Sequence, residues 1–261
     1  MNSSSDQALL ELHEVSLAFG GLQAVEQVSL RVPPGAVKAV IGPNGAGKTT
    51  LFHLVSGFLS PQQGRVIFQG EEIQGLPAHL IARRGIARTF QLVQLFNHLT
   101  VLENVMVGRH RLSRAGLLAG ALQLPRTRAE ERDIRASAME ALEFVGLASR
   151  AGQSAAVLPL GLKRLLEIAR ALATEPTLLL LDEPASGLDT VETERLKEMI
   201  LALKEQGLTT LLVEHDMGLT MEVADEIAVL NYGRLIADGP PRVIQKNPEV
   251  IAAYLGTDWM A

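Results

Sequence analysis

A chain of 261 residues and 28.1 kDa can bury one large hydrophobic core or two modest ones. It has no cysteine, which excludes disulfides, iron–sulfur ligation and thiol catalysis and fits a reducing compartment. The net charge of -5 offers no clamp for a polyanion and speaks against a nucleic-acid partner; the apolar runs Ala115–Leu122 and Leu178–Leu181 fall far short of the roughly 20 residues that cross a bilayer.

The start, Met1 to Asp6, is polar, without the basic region and long apolar core of a secretory signal, and residues 1–8 are expected to form a disordered leader. Leu10 to Phe19 and Val28 to Val32 alternate in polarity and are broken by Gly20-Gly21 and Pro33-Pro34, which predicts strands and turns. Val37 to Ile41 reads as a buried strand. Lys48 to Phe58 reads as a helix, with Leu51, Leu54, Val55 and Phe58 on one face. Gly64 to Ile73 is a strand pair or hairpin piece and Ile86 to Phe90 a short strand.

From Thr100 to about Arg170 the character changes. Val101 to Val105 and the charged run Arg128 to Val145 have helical period, with no strand pattern between them, which predicts a helical insert. Apolar β-rich runs then return at Leu178–Leu181, Thr209–Val213 and Ile227–Leu230, separated by helical stretches at Val191–Gln206 and Gly218–Ala224. This is the rhythm of a parallel sheet covered on both faces. Tyr232-Gly233 reads as a hairpin turn. The expected fold class is α/β, with a mixed core interrupted by a helical subdomain.

Four stretches carry chemistry. Gly42-Pro43-Asn44-Gly45-Ala46-Gly47-Lys48-Thr49 fits G-x-x-x-x-G-K-[ST] between a predicted strand and a predicted helix. Its glycines let successive N–H groups curl around phosphate oxygens, at the positive end of the helix. Lys48 would meet the β- and γ-phosphates, Thr49 would hold Mg²⁺, and Thr50 would add a hydroxyl near the α-phosphate. Leu178 to Pro184 brings Asp182 and Glu183 to the carboxyl end of a buried strand, where open α/β sheets bind ligands. Asp182 would bind Mg²⁺ through water, and Glu183 would serve as general base for an attacking water. Leu211 to Asp216 ends the next strand in His215, whose imidazole would reach the γ-phosphate and that water. Arg88-Thr89-Phe90-Gln91 stands where the helical insert begins, and Gln91 would touch Mg²⁺ and water from there.

Together these stretches resemble the ATP-binding subunit of ABC transporters, over roughly Leu10 to Gly256. Gly42–Thr49 looks like its Walker A loop, Gln91 its Q-loop and Leu178–Glu183 its Walker B strand. Ser186-Gly187-Leu188-Asp189 looks like its D-loop and His215 its switch histidine, while Phe19 matches the aromatic that stacks on adenine. The resemblance implies a P-loop NTPase (RecA-like) core with an antiparallel β subdomain and an inserted α-helical subdomain. On that basis residues 9–91 and 171–261 form the nucleotide-binding core and residues 92–170 the helical subdomain, all within one ATPase domain. It also implies ATP and Mg²⁺ as cofactors.

A narrower resemblance, to the ATPase subunits of bacterial branched-chain amino acid importers, rests on four stretches. They are Leu95–Val105, the Gly116–Leu124 insertion, the Leu165–Leu172 helix and the ending Asn247–Gly256. Urea and short-amide importers share much of this, and the alternatives of envelope-lipid export or a non-transport ATPase serving DNA repair or translation stay open. The signature segment departs from the family's Leu-Ser-Gly-Gly-Gln: here it is Leu158-Pro159-Leu160-Gly161-Leu162. Pro159 offers neither hydroxyl nor N–H, while Gly161 and the helix expected from Leu162 would still face the γ-phosphate held by a second subunit; the resemblance also makes Asp189 of the D-loop a nucleotide-binding residue.

The implied partners are transmembrane permease subunits, a second ATPase subunit (identical or a paralogue) and, indirectly, a periplasmic binding protein. The implied location is the cytoplasmic face of the inner membrane, as a peripheral subunit.

Overall fold

A computed structural model describes residues 8–109 and 125–255 of the chain. Residues 1–7 of the expected leader, the Gly116–Leu124 insertion and Gly256 lie outside the described residues. The rest falls into two compact units. One contains the described residues of Met1–Arg88, Thr177–Ala185 and Thr193–Ala261, and the other those of Thr89–Pro176 and Ser186–Glu192. The sequence reading divides the chain at 91 and 170 instead. Thr89–Gln91, Ala171–Pro176 and Ser186–Glu192, all assigned there to the core, belong to the helical unit. The return point is fixed by hydrogen bonding: Thr177 and Leu178 N–H both donate to Gly85 O, at 2.8 and 3.1 Å, so the chain rejoins its sheet at Thr177.

The first unit holds two sheets. An antiparallel sheet has the order β2-β1-β4-β5, built from β1 (Leu10–Phe19), β2 (Leu22–Val32), β4 (Gln63–Phe68) and β5 (Glu71–Glu72). β2 begins well before the apolar run at Val28, because its polar first half pairs with β1 through Leu22↔Phe19 and Gln23↔Ala18. An edge strand with one wet face needs no apolar alternation there.

The second sheet has the order β10-β9-β3-β8-β7-β6, from β3 (Val37–Ile41), β6 (Ile86–Arg88), β7 (Leu178–Asp182), β8 (Thr209–Val213), β9 (Glu226–Asn231) and β10 (Arg234–Gly239). All neighbours are parallel except the β9–β10 hairpin, which turns at Tyr232-Gly233 as expected. Every residue of β3, β7 and β8 is buried, the pattern of parallel strands covered on both faces. β6 is shorter than the run Ile86–Phe90, since only Ile86, Ala87 and Arg88 find partners on β7.

Between the sheets, Leu12, Val28 and Phe68 join Leu51, Phe52 and Val55 of α1 (Lys48–Val55) and Leu180, Val213 and Leu230 in one buried cluster. Each such side chain contributes about 1.5–3 kcal/mol by leaving water. α1 stops at Val55 rather than Phe58: Ser56 Oγ donates back to Phe52 O at 2.6 Å and Gly57 turns the chain at φ 74°. α6 (Thr190–Glu205) buries Leu196, Met199, Ile200 and Leu203, and α7 (Met217–Val223) is capped by Asp216, whose carboxylate accepts from Leu219 N at 3.0 Å. The sequence reading does not reveal α2 (Ala78–Arg83), α8 (Pro241–Ile244) or α9 (Pro248–Leu255); the first two are too short to show a period.

The helical unit is built on α3 (Val101–Arg109), α4 (Pro125–Phe144) and α5 (Leu160–Leu172). Thr100 and Glu103 close a capping box at the start of α3: Thr100 N donates to Glu103 Oε2 at 2.8 Å and Glu103 N to Thr100 Oγ1 at 3.2 Å. α5 starts at Leu160, two residues before the expected Leu162, with Pro159 as its N-cap. A proline is tolerated there because the first N–H groups of a helix have no intrahelical partner.

Candidate functional site

Three neighbouring strands, β3, β8 and β7, end side by side. Val40 lies opposite Val213, and Val213 opposite Asp182, so the residues that follow these three positions emerge along one edge of the sheet. In an open α/β sheet this edge is where ligands bind. β3 delivers the glycine-rich loop, β7 delivers Asp182 and Glu183, and β8 delivers Glu214 and His215.

The loop wraps tightly on itself. Gly47 has φ 102°, and a Cβ there would fall 2.3 Å from Ala24 O, so no other residue fits. Ala46 N donates to Pro43 O at 3.1 Å, and Lys48 Nζ bridges the loop by donating to Gly42 O at 2.7 Å and Pro43 O at 3.0 Å. Burial pulls the Lys48 ammonium below its ordinary pKa, while the carboxylates of Glu183 and Asp182 pull it back up. The same effect places lysine and both acids in one electrostatic neighbourhood. Asn44, Gly45 and Thr49 are exposed and Thr50 half-buried, with both threonines in the first turn of α1. Phe19 ends β1 half exposed, its ring not absorbed by the core.

The far wall of the loop is closed by the C-terminal helix. Gly42 N–H donates to the Tyr254 hydroxyl, opposing the burial that pushes this phenol's pKa up. A cavity of about 580 Å³ lies between Pro43–Ala46, Tyr232 and the Ala252-Ala253 face of α9.

Glu183 adopts a left-handed backbone, φ 48°, unusual for a residue with a side chain. Two bonds hold it: Glu183 N donates to Val213 O at 2.8 Å, and two residues on Ala185 N donates to Glu214 Oε1 at 2.7 Å. The other oxygen of Glu214 accepts from His215 N at 3.0 Å and Asp216 N at 3.2 Å. A fully buried carboxylate thus ties the turn after β7 to the turn after β8. His215 Nδ1 stands 3.9 Å from Glu183 Oε2, with the imidazole 60% exposed and the carboxylate 18% exposed, so the pair faces outward. Sequence reasoning passes over Glu214, although a carboxylate closing the apolar run Leu211–Val213 is its signal. Arg88 carries no signal in the sequence beyond its place three residues before Gln91, yet its guanidinium donates to Asp182 Oδ2 at 2.8 Å.

Lys48, Asp182, Glu183 and His215 therefore come together within the first unit. Gln91, Gly161 and Asp189 belong to the helical unit. Gln91 is exposed, and its carbonyl accepts from Arg164 Nη2 at 3.3 Å. Asp189 caps α6 in a box with Glu192: Glu192 N donates to Asp189 Oδ1 at 2.8 Å and Asp189 N to Glu192 Oε2 at 3.2 Å. The Glu192 carboxylate also lies on the first turn of α5, since a Cβ on Gly161 would come within 2.0 Å of its Oε1. A side chain at position 161 would push the Glu192 carboxylate aside.

Such an arrangement, a glycine loop and lysine beside two acids at the carboxyl edge of a parallel sheet, defines a P-loop nucleotide-binding protein. A family profile described as ABC transporter matches residues 25–186, and a second, described as branched-chain amino acid ATP-binding cassette transporter, matches residues 234–259. The chain is 48% identical over 249 residues to the high-affinity branched-chain amino acid transport ATP-binding protein BraF of Pseudomonas aeruginosa, covering 95% of this chain and 98% of that one. It is 44% identical over 251 residues to LivG of Escherichia coli, which carries the same description, covering 96% and 98%. Among solved structures, the ADP conformation of the ATP-binding cassette MJ1267 superposes with a TM-score of 0.84 at 31% identity, covering 96% of this chain and 99% of that one. The chain belongs to the ABC transporter family, as an ATP-binding cassette that hydrolyses ATP to power transport.

Proposed function

We propose that this cassette drives import of branched-chain amino acids, and that the residues gathered at the sheet edge divide the hydrolytic work as follows. Phe19 stacks on adenine. Gly42–Gly47 cradle the triphosphate through backbone N–H groups, with Thr50 near the α-phosphate. Lys48 gives up its bonds to the Gly42 and Pro43 carbonyls for the β- and γ-phosphate oxygens, which give the buried ammonium anionic partners. Glu183 takes the proton of the attacking water. His215, beside it, holds the γ-phosphate and the water in line.

Mg²⁺ fits the donor set, because a small hard cation prefers oxygen ligands and keeps phosphates and waters for most of them. Thr49, Asp182 and Gln91 supply such oxygens. Among the described residues no group of three or more His, Cys, Asp or Glu could hold a metal by itself. When bound, the cation neutralises phosphate charge.

The cassette works as one half of a dimer, the signature segment with Gly161 and the Asp189 turn of one subunit closing on the nucleotide of the other. Its partners are permease subunits at the cytoplasmic face of the membrane, where it sits as a peripheral subunit, and a binding protein acts through them. No helix among the described residues is long and apolar enough to cross a membrane, which suits a subunit held there by its partners.

The observation that carries the cargo reading is the 48% and 44% identity to branched-chain amino acid transport subunits over nearly the whole chain, together with the C-terminal profile match. The test is uptake of labelled leucine and of urea in cells carrying Glu183→Gln in place of the wild-type chain. Leucine uptake is expected to vanish while urea uptake stays. Unchanged leucine uptake would overturn the cargo, and lost urea uptake would transfer it to the amide branch.

A further inference from the structure

Arg88 closes β6, and its side chain is only 5% exposed. A carboxylate, a hydroxyl and two aromatic rings lie against its guanidinium. Nη2 donates to Asp182 Oδ2 at 2.8 Å, and Nη1 donates to Ser56 Oγ at 2.8 Å. Its Cζ lies 5.6 Å from the centre of the Phe52 ring and 5.7 Å from that of Phe58. Ser56 is itself anchored on α1 through its bond to Phe52 O. The arginine thus joins the helix that follows the phosphate loop to the acid at the end of β7. Asp182 is 2% exposed, so a buried acid meets a buried, permanently charged base. Such a pair is weak evidence for stability, since both ions lose their hydration. A purely structural role would be served as well by apolar side chains packed on the two phenylalanines.

We propose that Arg88 is a positioning residue for the cation that accompanies ATP. It orients the Asp182 carboxylate by gripping one oxygen with one arm of a fork whose other arm is bonded to the Ser56 hydroxyl and whose carbon lies near two rings. A planar guanidinium does this because its donors leave in set directions, whereas an ammonium acts as a point charge. The inference rests on the reading of Asp182 as the acid on the cation's side.

The test compares Arg88→Lys, Asp182→Asn and the double variant in the intact chain, using a fluorescent ATP analogue titrated in EDTA and at rising Mg²⁺, with Mn²⁺ electron paramagnetic resonance of the nucleotide complex as a second readout. Arg88→Lys keeps the charge and loses the fork. It is expected to raise the Mg²⁺ concentration that half-tightens nucleotide binding about tenfold, to leave affinity in EDTA within twofold, and to alter the Mn²⁺ spectrum. In the Asp182→Asn background it should add nothing, because both changes act through one carboxylate. If Arg88→Lys shifts the Mg²⁺ requirement equally in both backgrounds, or leaves it and the spectrum unmoved while Asp182→Asn shifts them, the inference about Arg88 fails alone. If Asp182→Asn itself changes nothing, the reading of Asp182 fails first. Should Arg88→Lys not fold, Ser56→Ala loosens the same guanidinium from its other side; a Mg²⁺ requirement raised two- to threefold supports the proposal, and an unchanged one overturns it.

Discussion

The Glu183 carboxylate and the His215 imidazole lie 3.9 Å apart, each just past the end of one of two adjacent strands, with the Glu214 carboxylate bonded to both turns beneath them. The spacing is too long for a direct hydrogen bond and suits two groups sharing a water or a phosphate oxygen. A general base typically supplies a factor of about 10²–10⁴ in rate. Glu183→Gln is therefore expected to lower single-turnover ATP hydrolysis by at least about 10²-fold with nucleotide affinity within a few-fold of wild type. His215→Ala should cost less, since it leaves the base in place. Rapid-quench hydrolysis with a parallel binding titration checks both, and a His215→Ala defect larger than that of Glu183→Gln would reverse the assignment.

Lys48 spends its hydrogen bonds on the carbonyls of its own loop and is held below its ordinary pKa by burial. Triphosphate repairs both conditions, so much of the binding energy should pass through this side chain. At an ATP concentration about 100 times the dissociation constant, wild-type protein gains roughly 2.7 kcal/mol of stability. If Lys48→Ala weakens binding about 100-fold, the same concentration yields only about 0.4 kcal/mol. Urea unfolding with and without ATP in EDTA measures the difference. A Lys48→Ala protein with the wild-type gain would remove the loop from the site.

How much of this is legible in the sequence depends on the kind of signal. Residues 42–49 and 178–183 declare themselves because a tight loop demands glycine and a doubly covered strand demands an unbroken apolar run; both effects are local. β2 hides its first half because polar Gln23 and Glu26 lie on an edge, and α5 hides its start because Pro159 reads as a stop although it caps the helix. Arg88 and Glu214 escape for a different reason. Their partners, Asp182 and Ala185, stand 94 and 29 residues away, and only sheet order brings them together. Asp189 shows the reverse case: the motif points to the nucleotide, while the structure finds its carboxylate already engaged as a helix cap.

Burial pushes the Glu214 carboxyl above its ordinary value of 4.5, and the N–H groups of Ala185, Asp216 and His215 oppose the shift without cancelling it. A raised folded-state pKa means that the native protein holds this proton more tightly than the unfolded chain. The stabilisation is full below about pH 4.5 and is lost as pH rises through the folded-state value. Glu214→Gln lacks this titration, and its amide presents N–H to a backbone donor, which leaves one buried N–H unpaired at a cost of about 1–3 kcal/mol. The variant should be less stable than wild type by about that amount at neutral pH. The gap should widen toward pH 5, as measured by urea unfolding at several pH values. A gap that narrows on acidification would mean that the three N–H bonds outweigh burial.

Pro159 occupies the N-cap of α5 with φ -55° and ψ 159°, and its side chain makes no capping bond. Serine accepts that backbone geometry. Its oxygen can take an N–H of the first turn, worth about 0.5–2 kcal/mol, against a loss of about 0.4–1 kcal/mol from freeing the unfolded chain. Pro159→Ser should therefore change the stability of the cassette in urea unfolding by between about 0.5 kcal/mol lost and about 1.5 kcal/mol gained. The same hydroxyl keeps its proton for a second partner. In the assembled transporter it would donate to the γ-phosphate of the opposite subunit, a bond of about 0.5–1.5 kcal/mol. If that bond forms only as charge develops on the transferring group, turnover should rise roughly two- to tenfold with little change in KM. Steady-state hydrolysis in the reconstituted transporter separates the two contributions: extra stability with unchanged turnover would confine the serine to capping and leave the proline without a kinetic cost.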